Sequence, residues 1–116
     1  MITIKSHTDL PQSKKLAEFL PIKSADMGWY YSRNPQVARN QMWVGTKAEN
    51  ADIPCWSLAT LLDILPPIEG FRPIIDLDIN SIRYEGNYRD ELCFNGNNLV
   101  DVCYEMVIEL HEKGLL

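Results

Sequence analysis

The stretch PIIDLDINSIRYEG, residues 73–86, decides the expected fold. Ile75, Leu77 and Ile79 alternate with two aspartates, the period-two pattern of a strand with one buried and one solvent-facing side. The alternation resumes in SIRYEG, but the apolar residues now stand at even-numbered instead of odd-numbered positions. This shift predicts a hairpin that turns at residues 80–81. A further strand at ELCFN, residues 91–95, would complete an antiparallel β-meander.

A helix follows this meander. Apolar residues recur at steps of four, three and four along one helical face: Leu99, Cys103, Met106 and Leu110. Asn97 or Asn98 can cap the start of this helix, and Gly114 is placed to end it in the left-handed conformation. We expect a helix over residues 99–113.

Two shorter helices and two strands precede the meander. Pro11 suits the first turn of a helix over residues 11–20, and a leucine stripe that begins after Ser57 predicts a helix over 57–65. Aromatic and β-branched residues predict strands at 27–32 and 41–46. We therefore expect a single α+β domain over residues 1–116, with three helices packed on antiparallel strands.

Composition limits the class of protein. The 116 residues are 46% apolar and 23% charged, as in an ordinary globular domain. No apolar run approaches the roughly 20 residues of a membrane span, and the start of the chain lacks the apolar segment of a secretory signal. Three scattered cysteines indicate a reducing cytoplasm. Residues 59–116 carry four basic against eleven acidic side chains, which disfavours nucleic-acid binding.

An aromatic cluster is the candidate binding surface. It lies on the two predicted strands, with two arginines nearby, and its members are Trp29, Tyr30, Tyr31, Trp43, Arg33 and Arg39. Three consecutive aromatic residues on a strand cannot all share one face, so at least one can be exposed for a partner. The alternative is cross-strand aromatic packing inside the core.

Cys55 raises the question of catalysis. A cysteine beside a helix N-terminus can be an activated nucleophile, with His7 or His111 as its base. Its neighbours Ile53, Pro54 and Trp56 are apolar, however, and an apolar environment raises a thiol pKa. We expect Cys55 to be structural, and we assign no catalytic residue.

Two acidic patterns allow a functional and a structural interpretation. Asp76 and Asp78 share a predicted strand face, but no third ligand accompanies them, so we expect no metal and no cofactor. Asp101, Glu105 and Glu109 form a helical stripe. This acidic stripe can dock a basic partner or imitate nucleic-acid phosphates, or it can be the solvated back of an amphipathic helix.

Three segments carry a family resemblance: QSKKLAEFLPIKSADM (12–27), PCWSLATLLDILP (54–66) and LVDVCYEMVIELHEKGLL (99–116). They resemble an uncharacterised family of small proteins encoded by phages and mobile elements of gut bacteria. The resemblance implies a genomic setting and brings no activity, cofactor or site residue. We expect a non-enzymatic protein-binding or accessory protein with a host or phage protein as its partner. The alternatives are a small cysteine-dependent enzyme and an acidic inhibitor that mimics nucleic acid.

Overall fold

The computed structural model describes residues 5–32, 42–86 and 90–116, which form two compact units. We call His7–Thr60 the N-terminal unit. The C-terminal unit comprises Leu61–Leu116 and the start of the chain, of which Lys5 and Ser6 are described. Helices and antiparallel sheets occur together, so the predicted α+β class is confirmed. That the two units make one domain stays a prediction.

The described residues of the N-terminal unit form a three-stranded antiparallel sheet. The elements of this unit are α1 (Leu10–Ala17), a 3-10 turn (Ile22–Ser24), β1 (Met27–Tyr31), β2 (Met42–Gly45) and β3 (Ile53–Cys55). β1 lies in the middle, in the order β2-β1-β3. β3 was not predicted from the sequence. The helix α2 (Leu58–Ile64) follows, and the division between the units falls within it.

Helix α1 begins where a capping box satisfies its first backbone groups. The Asp9 carboxylate accepts from the Gln12 backbone N–H at 2.9 Å, while the Gln12 side chain accepts from the Asp9 N–H at 3.0 Å. The helix ends at Ala17, three residues before the predicted end. Its last turn tightens, because Phe19 N–H donates to the Leu16 carbonyl three residues earlier.

The C-terminal unit contains the predicted meander. It consists of β4 (Arg72–Asp76), β5 (Ser81–Glu85) and β6 (Asp90–Asn95), paired antiparallel in the order β4-β5-β6. The helix α3 (Leu99–Glu112) follows and packs on β5 and β6. These elements confirm the order strand, strand, strand, helix that the sequence predicts.

The predicted course of the first hairpin is wrong. β4 ends at Asp76, and residues 77–80 form the turn that brings Asp76 opposite Ser81. Ile75, Leu77 and Ile79 are 42%, 72% and 57% exposed, although the alternation placed them on the buried side. The reason is that the Asp76 carboxylate accepts the Asp78 backbone N–H at 3.1 Å, which ends the strand early.

The core of the C-terminal unit follows the helical stripe of the sequence. Its fully buried members include Ile82, Tyr84, Val100, Cys103, Met106, Val107 and Leu110. Burial raises the pKa of Cys103 to about 12, and burial together with the neighbouring Cys103 raises the pKa of Tyr84 to about 12. The Tyr84 hydroxyl donates to the Pro66 carbonyl at 2.8 Å, so this buried polar atom is satisfied.

Both predicted ends of α3 are confirmed. Asn98 caps its start by accepting the Asp101 N–H at 2.8 Å. Gly114 has φ +73°, and Leu115 N–H donates to the Leu110 carbonyl at 2.9 Å, which completes a Schellman ending. Across the described ranges, no helix combines the length and the apolar character needed to cross a membrane.

Candidate binding surface

Tyr30 and Trp43 form a stacked aromatic pair on one face of the N-terminal sheet. They stand directly opposite each other on β1 and β2. Their ring centroids lie 4.8 Å apart with 19° between the planes. Trp43 is 55% exposed, so more than half of this residue is accessible to solvent despite the stacking. We call these two residues the aromatic platform.

Two glycines make room for the platform. Gly28 and Gly45 face each other across β1 and β2, one alternation further along the same sheet face. A Cβ atom on Gly45 would lie 3.1 Å from both the Tyr30 and the Trp43 rings. One on Gly28 would lie 3.2 Å from the Tyr30 ring, and closer still to the loop after β2, at 2.4 Å from the Ala51 Cβ and 2.8 Å from the Lys47 carbonyl oxygen. The aromatic rings therefore cover strand positions that carry no side chain, an arrangement that stabilises glycines within a sheet.

The Tyr30 hydroxyl holds the loop that follows β2. It lies 2.7 Å from the carbonyl oxygen of Lys47 and 2.9 Å from that of Glu49. Tyr30 is thus fixed at both its ring and its hydroxyl, which makes it a rigid support for Trp43. A shallow depression of about 390 Å³ beside the indole is lined by Tyr30, Trp43, Gly45, Thr46 and Lys47.

The other face of β1 has a different environment. The Trp29 indole N–H donates to Ser13 of α1 at 3.1 Å, and its ring meets the His7 ring edge-on at 5.9 Å. Tyr31 is 41% exposed, and its backbone N–H is bound by the Asp52 carboxylate at 2.8 Å. The described aromatic members of the predicted cluster therefore divide between two sheet faces, and Trp43 is the most exposed of these four residues.

The remaining two members, Arg33 and Arg39, lie outside the described residues. The structure neither adds them to the aromatic platform nor separates them from it. Among the described lysine and arginine residues, Lys47 is the one that lines the depression beside the platform. Sequence reasoning missed Lys47 because its polar neighbours indicated only a loop.

Cys55 occupies a buried polar network. Its thiol lies 3.4 Å from the Thr8 carbonyl and 3.6 Å from the Thr8 hydroxyl, and the side chain is fully buried. Burial raises the pKa of Cys55 and disfavours the thiolate. The position fits the structural role expected from its apolar neighbours and does not fit an activated nucleophile.

A second polar cluster, which the sequence did not reveal, holds the start of α2. The Asp26 carboxylate accepts the backbone N–H of Ser57 at 2.9 Å, the Ser57 hydroxyl at 2.6 Å and the Thr60 hydroxyl at 2.9 Å. Partial burial acts to raise the pKa of Asp26, but these hydrogen bonds outweigh it and lower the pKa. Ser57 was predicted as the cap; its partner lies 31 residues away, and no local pattern identifies such a partner.

Two of the three residues of the acidic stripe of α3 form ion pairs within the chain. Asp101 forms an ion pair with Lys5 at 2.6 Å, and Glu109 pairs with Lys113 at 3.5 Å. Glu105 is exposed. Among the described side chains, no three metal-ligating groups converge on a common point.

No protein-family model, curated protein or solved structure matches this chain. The resemblance of its three segments to phage and mobile-element proteins therefore stays a prediction.

Proposed function

We propose that this chain is a non-enzymatic protein-binding module whose contact surface is the aromatic platform. The observation that carries this proposal is the exposure of Trp43 on a rigid support. Tryptophan is a large apolar residue that usually withdraws from water, and it is among the residues most enriched at the energetic centres of protein interfaces. A tryptophan left open on a sheet face therefore indicates a surface that another molecule covers.

The support beneath Trp43 strengthens this proposal. An exposed side chain loses rotamer freedom when a partner immobilises it, which costs about 0.5–1.5 kcal/mol. The Tyr30 ring already restricts the indole, and the loop hydrogen bonds of Tyr30 restrict that ring in turn. Much of the ordering cost is thus met before binding.

The surroundings of the platform define the kind of contact. The depression beside Trp43 has an aromatic floor, with Thr46 and Lys47 at its side. This combination of an apolar centre and a polar rim is typical of protein interfaces. The partner we propose inserts an apolar side chain against the indole and places a hydrogen-bond acceptor or carboxylate near Lys47.

We propose the bacterial cytoplasm as the setting, in an accessory role for a phage or mobile element. The support is the resemblance of the three segments at 12–27, 54–66 and 99–116, together with cysteines that form no disulfide in the structure: Cys55, Cys93 and Cys103.

The test compares Trp43→Ala with Ile22→Ala. Ile22 is 66% exposed in the same unit, so its variant controls for the general loss of apolar surface. Partners captured from host lysate by the wild type are identified, purified and titrated against each variant. We expect Trp43→Ala to weaken binding by about 30-fold or more, the scale of an interface hot spot, and Ile22→Ala to bind like the wild type.

The thermal midpoint of each variant separates binding from folding. Since Trp43 is more than half exposed, its removal should move the midpoint by only a few degrees. A Trp43→Ala protein that binds the purified partner as tightly as the wild type, or an Ile22→Ala protein that loses binding equally, contradicts the proposal.

A further inference from the structure

The turn between β4 and β5 presents two exposed aliphatic side chains. Leu77 is 72% exposed and Ile79 is 57% exposed, and Ile75, at the end of the adjoining strand, is 42% exposed. We call Leu77 and Ile79 the apolar tip. It belongs to the C-terminal unit, whereas the aromatic platform belongs to the N-terminal unit, so the two surfaces can be tested independently.

Hydrogen bonds hold the tip at both ends. At its start, the Asp76 carboxylate accepts the Asp78 N–H at 3.1 Å. At its end, Asn80 adopts the left-handed conformation with φ +46°, donates its side-chain amide to the Asn97 carbonyl at 3.2 Å and accepts the Gly96 N–H at 3.2 Å. A turn fixed in this way presents its side chains in a preorganised geometry, which lowers the entropic cost of docking.

The charges of the turn select the kind of partner. Asp76 and Asp78 alternate with the two aliphatic residues, and residues 73–82 contain no lysine or arginine. A membrane surface is disfavoured because anionic headgroups repel carboxylates. A two-fold contact between two copies of the tip is disfavoured because it would bring four aspartates together. A protein surface with basic groups around an apolar centre is complementary to both the aliphatic side chains and the carboxylates of the turn.

The edge of the sheet gives a further restriction. β4 carries Pro73, which has no backbone N–H to donate to an added strand. Proline on an edge strand is a common protection against strand addition. Pro73 therefore favours a contact through the side chains of the turn over a contact that extends the sheet.

We infer that the apolar tip docks into an apolar pocket on a partner protein whose rim carries lysine or arginine. Leu77 and Ile79 fill the pocket, and Asp78, whose side chain is exposed, faces the basic rim. Asp76 differs from Asp78, since its carboxylate accepts a hydrogen bond that holds the turn.

The first experiment maps the contact by photo-crosslinking. A benzophenone maleimide is attached to Leu77→Cys in a Cys93→Ser background, because Cys93 is exposed whereas Cys55 and Cys103 are buried. The labelled protein is irradiated in host lysate, and the adducts are mapped by mass spectrometry. The matched control carries the label at Glu112→Cys, an exposed position at the end of α3.

We expect a discrete adduct from position 77 that is absent from position 112, mapped to a segment with apolar residues flanked by lysine or arginine. A lipid adduct, an adduct to a second copy of this chain, a segment without basic residues, or no discrete adduct overturns the inference.

The second experiment titrates the purified partner identified by the adduct against charge variants. Asp78→Lys reverses a charge at the tip, and Glu69→Lys makes the same net change at an exposed position outside it. We expect Asp78→Lys and Leu77→Ser each to weaken binding at least tenfold and Glu69→Lys to change it less than twofold. Equal effects of the two charge reversals, or full binding by Leu77→Ser, overturn the inference.

Discussion

Thr8 is the residue whose substitution tests the buried network around Cys55 most directly. It is fully buried, and its hydroxyl accepts the Trp56 backbone N–H at 3.2 Å and lies 2.7 Å from the Ser13 hydroxyl. Thr8→Val keeps the shape of the side chain but removes this hydroxyl. The substitution leaves the Trp56 N–H without that acceptor, which costs about 1–3 kcal/mol. Losing the bond to Ser13 adds about 0.5–1.5 kcal/mol, so we expect a total loss of about 2–4 kcal/mol.

Thr8→Ser is the matched control. It keeps the hydroxyl and removes one buried methyl group, a change worth about 1 kcal/mol. Urea unfolding followed by tryptophan fluorescence measures both variants. With a slope of about 2 kcal/mol per molar urea, in the middle of the usual range for small proteins, Thr8→Val should lower the midpoint by about 1–2 M. A loss below about 0.5 kcal/mol for Thr8→Val, or a larger loss for Thr8→Ser, would refute the reasoning that the hydroxyl network stabilises this unit.

Three further outcomes are expected. Asp26→Asn should destabilise the protein near neutral pH and make its stability depend less on pH in the acid range. The pKa of Asp26 in the folded protein lies below the ordinary value of 3.8. The carboxylate therefore contributes its full stabilisation above that value, and this contribution declines as the pH falls through the folded pKa. Parallel acid limbs in thermal melts of both proteins would speak against this. Leu61→Ala, at a fully buried position, should lower the free energy of unfolding by about 2–5 kcal/mol; an unchanged urea midpoint would exclude Leu61 from the core. Iodoacetamide at neutral pH should modify Cys93 quickly and Cys55 only after unfolding, and fast native labelling of Cys55 would contradict its structural role.

The sequence predicted those helices and strands that are determined by residues within the same short stretch of chain. The bounds of α3 follow from an apolar stripe, an asparagine cap and Gly114, all within one stretch of sequence. β3 could not be found in this way. It has only three residues, includes Pro54, and exists because Cys55 and Ile53 pair with β1 across a long separation.

The first hairpin shows the limit of periodicity. The alternation in residues 73–79 assigned the apolar set to the buried side, yet Ile75, Leu77 and Ile79 are exposed. The end of β4 is set by the side-chain hydrogen bond of Asp76 and the left-handed conformation of Asn80, which place the turn at residues 77–80. Binary patterning identifies a strand, but the turn chemistry sets its length.

The aromatic platform was predictable in part. Alternation along β1 separates Tyr30 from its two aromatic neighbours, and the pairing of the two predicted strands brings Trp43 close to one of these faces. Which face stays open could not be read from the sequence, because it depends on where α1 packs. Ser13 of α1 binds Trp29, and this contact leaves the platform on the other face. The function of the platform stays a prediction.

The division of the chain has a consequence for the order of folding during synthesis. Residues 7–60 are continuous and can complete their sheet while later residues are still being translated. The C-terminal unit has to wait, because Lys5 finds its partner Asp101 only after 96 further positions have been made. Closing an unstructured loop of that length costs about 4 kcal/mol of chain entropy, and earlier folding of residues 7–60 lowers this cost because only the rest of the loop is then flexible. A circular permutant that begins at His7 and joins Leu116 to Met1 through a flexible linker would make both units continuous, and it would shorten the loop that the contact between Lys5 and Asp101 has to close.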